Sequence, residues 1–114
     1  MINCQFKRLD GQICSVEVRG HSEYDDKGQD IVCAAVSTLM ISAVNGLTEV
    51  ANLNVDYSVD EDGFIQFNIP EIDDDVKKIQ CNAILDTLYL GVKSIELEYV
   101  DFIIIKDIEG GVTL

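Results

Sequence analysis

The chain of 114 residues is 47 % hydrophobic and 25 % charged, a balance typical of a folded globular domain and not of a disordered chain. Its formal net charge of −13 at pH 7 argues against direct binding of nucleic acid, because an acidic surface repels phosphate. The length suits one domain over residues 1–114. The N-terminal "MINCQFKRLD" has no basic segment followed by an apolar run, so we expect a cytoplasmic protein without a secretory signal.

The first half of the chain predicts a hairpin, a loop and a helix. Residues 2–8 and 12–19 alternate apolar and polar side chains around "LDGQ", which holds an Asp-Gly turn. Residues 20–29, "GHSEYDDKGQ", are polar and carry two glycines, which predicts a loop. Asp30 then stands at the N-cap position of a helix, "IVCAAVSTLMISAVNGLTEV". That helix is apolar around most of its circumference, so we expect a largely buried core helix and no membrane span.

The second half predicts two strands, a helix and a last strand. The strands lie near residues 53–59 and 64–69, with "DEDG" between them. A helix over about 72–92 follows Pro70, with acidic residues favourably placed at its N-terminal end. A final strand lies within "IELEYVDFIIIKD". The order ββαββαβ predicts an α+β fold of two layers, an antiparallel sheet with two helices packed on it.

Metal binding finds little support in the sequence. The four cysteines form no CxxC pair, and they lack a histidine spacing suited to zinc. The segment "SVDEDGFIQFNI" resembles a calcium loop, but Ser58 and Ile69 would stand where the first and last carboxylate ligands belong. A hairpin turn explains that segment better. We therefore expect no metal and no cofactor.

One cysteine differs from the other three. Cys4, Cys14 and Cys81 fall in apolar stripes and are predicted to be core side chains. If Asp30 is the N-cap, Cys33 lies in the first helical turn, near unpaired amides and the positive end of the helix dipole.

The dipole alone is too weak to ionise a thiol. A helix end contributes about 0.3–1 kcal/mol, whereas one pKa unit requires about 1.4 kcal/mol. The only histidine, His21, could supply a neighbouring imidazolium, and the first-turn amides could stabilise an oxyanion. Gly20 and Gly28 would let the loop bend toward the thiol. The spacing alone leaves open a packed, inert cysteine and a surface histidine.

The chain resembles the ribosomal-processing cysteine proteases called Prp, also known as the YsxB-like family. The resemblance is carried by the pair Gly20-His21, by Gly28, and by "DIVCAAVS", which runs from Asp30 to Ser37. It implies a homodimer that removes a short N-terminal extension from large-subunit ribosomal protein number twenty-seven. It also implies that His21 and Cys33 form the catalytic dyad. One departure is Ser22, where the family often has alanine.

The predicted function is therefore that of a cysteine endopeptidase. Cys33 is the nucleophile, and His21 accepts the thiol proton and later gives a proton to the leaving amine. Gly20, Gly28, Asp30, Ala34 and Ser37 are predicted to support this pair, with Asp30 as helix cap. An acidic enzyme would attract a basic ribosomal protein.

Two alternatives remain. One is a non-enzymatic ribosome-assembly binding protein in which Cys33 is only packed. The other is a thiol redox sensor, which is disfavoured because no resolving cysteine lies nearby in sequence.

Overall fold

The computed structural model describes residues 1–20, 27–60 and 64–110, with residues 27–30 as backbone only. Within these ranges the elements follow one another in the predicted order ββαββαβ, and the α+β fold class is confirmed. In chain order they are β1 (Ile2–Leu9), β2 (Gln12–Arg19), α1 (Lys27–Asn45), a π-helical turn (Gly46–Val50), β3 (Asp56–Val59), β4 (Ile65–Asn68), α2 (Asp75–Glu98) and β5 (Ile103–Glu109).

The five strands form one sheet in the order β3-β4-β2-β1-β5. The pairs β1–β2, β2–β4 and β3–β4 are antiparallel, but β5 runs parallel to β1, so the sheet is mixed and not purely antiparallel as predicted. The reason is that α2 carries the chain back to the end of the sheet where β1 begins. There the Ile2 amide donates to the Phe102 carbonyl, and β5 starts alongside β1.

The predicted Asp-Gly turn joins β1 to β2. Asp10 and Gly11 have φ values of 53° and 80°, the left-handed pair that a two-residue hairpin turn requires. Beyond the turn the register shifts, because Arg8 pairs with Ile13 whereas Lys7 pairs with Ser15. Cys14 is therefore the extra residue of a β-bulge. It is half-buried, so its prediction as a core cysteine is wrong.

Helix α1 buries one face and exposes the other. Val32, Val36 and Met40 are completely buried in the core that the helices share with the sheet, whereas Ile31 and Ile41 are 53 % and 44 % exposed. The segment Ile31–Val50 is long and apolar enough to cross a membrane by length and composition, with a mean hydropathy of 1.8, and 33 % of it is buried. Because its buried face contributes to the core, we describe it as a core helix, although a less buried one than predicted.

Both helix boundaries differ from the predicted ones. Helix α1 begins at Lys27, so Gly28 and Asp30 lie inside its first turn, and Asp30 is not the N-cap. Helix α2 begins after Asp74, whose carboxylate accepts the Lys77 amide at 3.0 Å, and it extends six residues past the predicted end at 92. The extension is stabilised because Ile95 packs against the core.

Candidate active site

Cys33 is the seventh residue of α1 and not the third. Four more helical residues precede it than the sequence predicted, because the helix begins at Lys27. The unpaired amides of a helix belong to its first four residues, and the dipole effect falls off within the first turn. The structure therefore gives no support to the first-turn amides as oxyanion donors beside Cys33, and it weakens the helix end as a source of thiolate stabilisation.

The Cys33 side chain lies on the flank of α1 that faces away from α2. At about 100° per residue, Cys33 and Leu39 stand roughly 60° to either side of the buried Val36. Leu39 is on the side of α2, since a Cβ on Gly91 would come within 3.0 Å of it. Cys33 is therefore on the other side.

That flank is turned toward one edge of the sheet. Helix α2 contacts β5 at one edge, whereas α1 contacts β4, the neighbour of the opposite edge strand. The flank that carries Cys33 is thus on the side of β4, which pairs with the edge strand β3. The Cys33 side chain is half-buried and packs against the core without being sealed in it.

Gly20 directly follows the last residue of β2 and packs closely against Ile2 of β1. A Cβ at this position would lie 3.0 Å from Cγ1 of the buried Ile2, so the backbone can approach β1 closely only because the residue is glycine. The guanidinium of the preceding Arg19 lies 4.5 Å from the centre of the Phe64 ring. This cation–π contact links the end of β2 to the start of β4. His21 follows directly, and it lies outside the described residues, as do residues 22–26 of the predicted loop.

The two supporting residues beyond Cys33 have different surroundings. Ser37 lies one turn further along α1 and is half-buried, but within the described part of the chain its hydroxyl makes no hydrogen bond to the helix. Ala34 is exposed, and its carbonyl accepts the Thr38 hydroxyl at 2.8 Å. Neither residue is tied to Cys33 by a side-chain bond among the described atoms.

Two of the remaining cysteines, Cys4 and Cys81, are placed for packing. Burial raises the pKa of the Cys4 thiol to about 12, with a further contribution from the negative charge of Glu96. Burial also raises the pKa of Cys81. Both were predicted to be core cysteines, and both are buried. Protonated, enclosed thiols are poor nucleophiles, since the thiolate is the reactive form.

No cluster of three metal-ligating side chains exists among residues 1–20, 31–60 and 64–110. The segment that resembles a calcium loop forms the antiparallel pair β3–β4, in which Val59 is paired with Ile65. Residues 61–63 of its turn lie outside the described residues. The predicted hairpin strands are thus confirmed.

The sequence did not single out the outer strand of the sheet near this site. Tyr57 and Val59 of β3 stand on the side of the sheet that the helices occupy, yet both are exposed. Their alternation in "VDYSV" predicted a strand, but it carries no information on whether a helix covers them.

Comparison with known proteins agrees with the motif. The family model described as cysteine protease Prp matches residues 1–104. The ribosomal processing cysteine protease Prp of Bacillus subtilis (strain 168) is 30 % identical over 103 residues, covering 89 % of this chain and 92 % of the relative. The protein of the same name from Staphylococcus aureus (strain Mu50) is 30 % identical over 90 residues, covering 79 % and 82 %.

Solved structures show the same fold. The crystal structure of SMU.848 from Streptococcus mutans has a TM-score of 0.83 and 31 % identity, covering 96 % of this chain and 95 % of that one. The structure of the essential ribosomal processing protease Prp from S. aureus in complex with a substrate peptide has a TM-score of 0.83 and 25 % identity, covering 94 % and 99 %. With its Gly20-His21 pair and the accessible flank of Cys33, this chain belongs to the cysteine protease Prp family, a family of hydrolases.

Proposed function

We propose that this chain is an endopeptidase that removes the short N-terminal extension of large-subunit ribosomal protein number twenty-seven in the cytoplasm. The observation that carries the proposal is the half-buried Cys33 on an open flank of α1, in a chain that belongs to a cysteine protease family. Further support comes from relatives named ribosomal processing proteases, and from an S. aureus relative solved with a covalently linked product peptide.

In the proposed mechanism Cys33 and His21 form the dyad. His21 takes the thiol proton as sulfur attacks the scissile carbonyl, which becomes a tetrahedral oxyanion. The intermediate collapses to a thioester on Cys33, while the leaving amine departs with the proton from His21. His21 then takes a proton from water, whose oxygen attacks the thioester, and the new carboxylate and the free thiol are released. No cofactor enters the cycle.

The net charge of −13 supports a basic protein as the substrate. Opposite charges speed encounter, and salt screens this attraction. Cleavage of the full-length ribosomal protein should therefore slow as salt rises, while cleavage of a short neutral peptide should change little. Equal salt dependence of the two substrates would contradict electrostatic attraction.

We also propose that the protein acts as a homodimer through the outer faces of its helices. Exposed apolar side chains follow one face of α2: Val76, Ile79, Leu90 and Leu97. Beside them a groove of about 340 Å³ lies between the helices and is lined by small and apolar residues such as Ala43, Gly46 and Ala83. A second copy would bury this surface. Sedimentation should show a dimer that Leu90→Lys dissociates, whereas Tyr57→Lys, on the other side of the molecule, leaves it intact.

Cleavage of the unprocessed ribosomal protein tests the function. The wild-type chain should shorten it, and Cys33→Ala and His21→Ala should not, whereas Cys14→Ala should act like the wild type because that half-buried thiol lies at the bulge. The alternative, a ribosome-assembly binding protein with an inert Cys33, predicts binding without cleavage by every variant.

A further inference from the structure

Strand β3 is the edge strand of the sheet beyond β4, on the side toward which the flank that carries Cys33 is turned. It comprises Asp56–Val59 and, among the strands that the structure describes, pairs with β4 alone. Its last residue, Val59, pairs with Ile65, and Ile65 pairs with Val18 near the end of β2. The end of β3 is therefore at the same end of the sheet as Gly20, from which the chain continues to α1.

The hydrogen-bond pattern shows which residues of β3 face outward. The Asp60 amide donates to the Phe64 carbonyl at 3.0 Å, so these two residues form a hydrogen-bonded pair. Hydrogen-bonded and non-hydrogen-bonded pairs alternate along an antiparallel ladder. Ser58 therefore bonds β4, whereas Tyr57 and Val59 direct their amides and carbonyls to the open edge.

The side chains of the same two residues form an apolar ledge. Tyr57 and Val59 pair with Phe67 and Ile65, which are buried, and so project on the helix side of the sheet. Nevertheless they are 45 % and 52 % exposed, because the helix layer ends before β3. Within the described ranges, Tyr57 and Val59 thus offer both main-chain groups that no other strand pairs with and exposed apolar surface.

The charge beside this ledge is negative. Asp56 and Asp60 flank the two apolar residues, and Asp56 is exposed. Such an edge is complementary to an extended peptide that carries apolar side chains and basic residues. An extended peptide gains main-chain hydrogen bonds by pairing with an exposed strand, and alternate side chains give it specificity.

The opposite edge of the sheet, β5, makes more contacts with the rest of the chain. On β5, Asp107 accepts the Tyr89 hydroxyl at 2.6 Å and Arg8 Nε at 3.1 Å, and Glu109 accepts the Gly11 amide at 3.3 Å. Helix α2 also contacts β5. The flank of Cys33 faces away from α2, so β5 lies on the wrong side to direct a peptide to the thiol.

We infer that an extended segment of the basic protein substrate pairs with β3 as a sixth strand, bonding the outward main-chain groups of Tyr57 and Val59 and bringing its scissile bond to Cys33. The inference rests on the proposed function, since it concerns the substrate of that same site. It makes Tyr57 and Val59 specificity-determining residues of the reaction.

Amide hydrogen exchange provides the first test. The Cys33→Ala chain, which cannot cleave, is measured with and without a synthetic peptide that spans the N-terminal extension of the ribosomal protein. The Tyr57 and Val59 amides should exchange at least about tenfold more slowly with peptide, whereas the Ser58 amide, already bonded to β4, should change little. Unchanged Tyr57 and Val59 amides, or new protection at β5 instead, would overturn the inference. So would protection that rises with protein concentration alone, which indicates pairing of two copies.

A proline substitution provides the second test. Val59→Pro removes an amide that faces the open edge and is not needed by β4, and proline is tolerated at such edge positions. Val59→Ala is the matched control, because it shortens the side chain and keeps the amide. We expect Val59→Pro to raise KM for the peptide about tenfold or more, and Val59→Ala to raise it less than about threefold.

The alkylation rate of Cys33 should be the same in both variants, because both keep the thiol and α1, the helix that carries it. Equal KM values for the two variants would overturn the inference. If Val59→Pro lowers the thermal stability, Tyr57→Pro and Tyr57→Ala repeat the comparison, and the exchange measurement on Cys33→Ala decides independently of both. A wild-type chain that cleaves no ribosomal protein contradicts the proposed function, whereas a wild type and a Val59→Pro variant that cleave equally contradict only the pairing with β3.

Discussion

Cys4 and Cys33 lie in two regions of the chain that differ in how far they bury a cysteine side chain. Cys4 points from β1 into the core, is 1 % exposed, and has its pKa raised to about 12 by burial and by Glu96. Cys33 lies at the border of that core, half-buried on the open flank of α1. The sheet interior therefore encloses and neutralises a thiol, whereas the helix flank leaves one within reach of another molecule. Position relative to the layer boundary, more than sequence spacing, separates a packing cysteine from a candidate nucleophile.

The largest expected effect is on catalysis. Cys33→Ser should lower kcat/KM for the ribosomal protein by on the order of 10³-fold or more, because the hydroxyl is a far weaker nucleophile than a thiolate. Cys14→Ser changes the other half-buried thiol and should stay within about twofold of the wild type. Steady-state cleavage of the purified substrate measures both. Comparable losses in the two variants would remove the distinction between the two cysteines.

The thiols should also differ in their rates of reaction with iodoacetamide. With a pKa of about 12, only about one Cys4 side chain in ten thousand is a thiolate at pH 8. Peptide mapping by mass spectrometry should find Cys33 modified first and Cys4 last in the native chain. Between pH 8 and pH 10 the Cys4 rate should rise about tenfold per pH unit, because the thiolate fraction does. Cys4 labelling as fast as that of Cys33 would contradict the burial contrast.

For stability we expect the opposite ranking of the two cysteines, with Cys4 more important than Cys33. Cys4→Ser places a hydroxyl in the core and should lower the free energy of unfolding by about 1–3 kcal/mol. Cys33→Ser, at the border of the core, should cost less than about 1 kcal/mol. Urea denaturation followed by circular dichroism gives both values. A larger loss for Cys33→Ser would mean that its side chain is a packing residue.

The smallest effect distinguishes the two ends of the hairpin. Gly20→Ala brings a Cβ within 3.0 Å of Ile2, and Gly11→Ala forces alanine to a φ of 80°. Each should cost about 1–2 kcal/mol of stability. Only Gly20→Ala should also lower kcat/KM, because Gly20 directly precedes His21. Equal activity of the two variants would show that the end of β2 does not position the histidine.

Much of the fold could be predicted because burial alternates with the period of each element. The Asp-Gly hairpin, both helices and the order ββαββαβ followed from that periodicity. The direction of β5 did not, since "FIIIKD" is equally apolar in either orientation. The parallel direction of β5 follows from α2, because this long helix returns the chain to the end of the sheet where β1 begins.

The start of α1 and the burial of each cysteine are harder to predict from the sequence. Residues 27–30 are polar or glycine and show no apolar period, so with Asp30 as the N-cap the sequence predicts that the helix starts at Ile31, four residues late. Cys14 was misassigned because a bulge shifts the alternation of β2, and a bulge leaves no clear pattern in a single sequence. Cys33 was singled out by its motif. Its pairing with His21 stays a prediction, since His21 lies outside the described residues.

The most direct measurement follows Cys33 alkylation and proteolysis in the same sample. The native chain is treated with iodoacetamide at neutral pH, and each time point is divided between peptide mapping and cleavage of the unprocessed ribosomal protein. We expect activity to fall in proportion to the fraction of modified Cys33, while Cys4 and Cys81 remain free. Full cleavage activity in a chain whose Cys33 is completely alkylated would contradict the account.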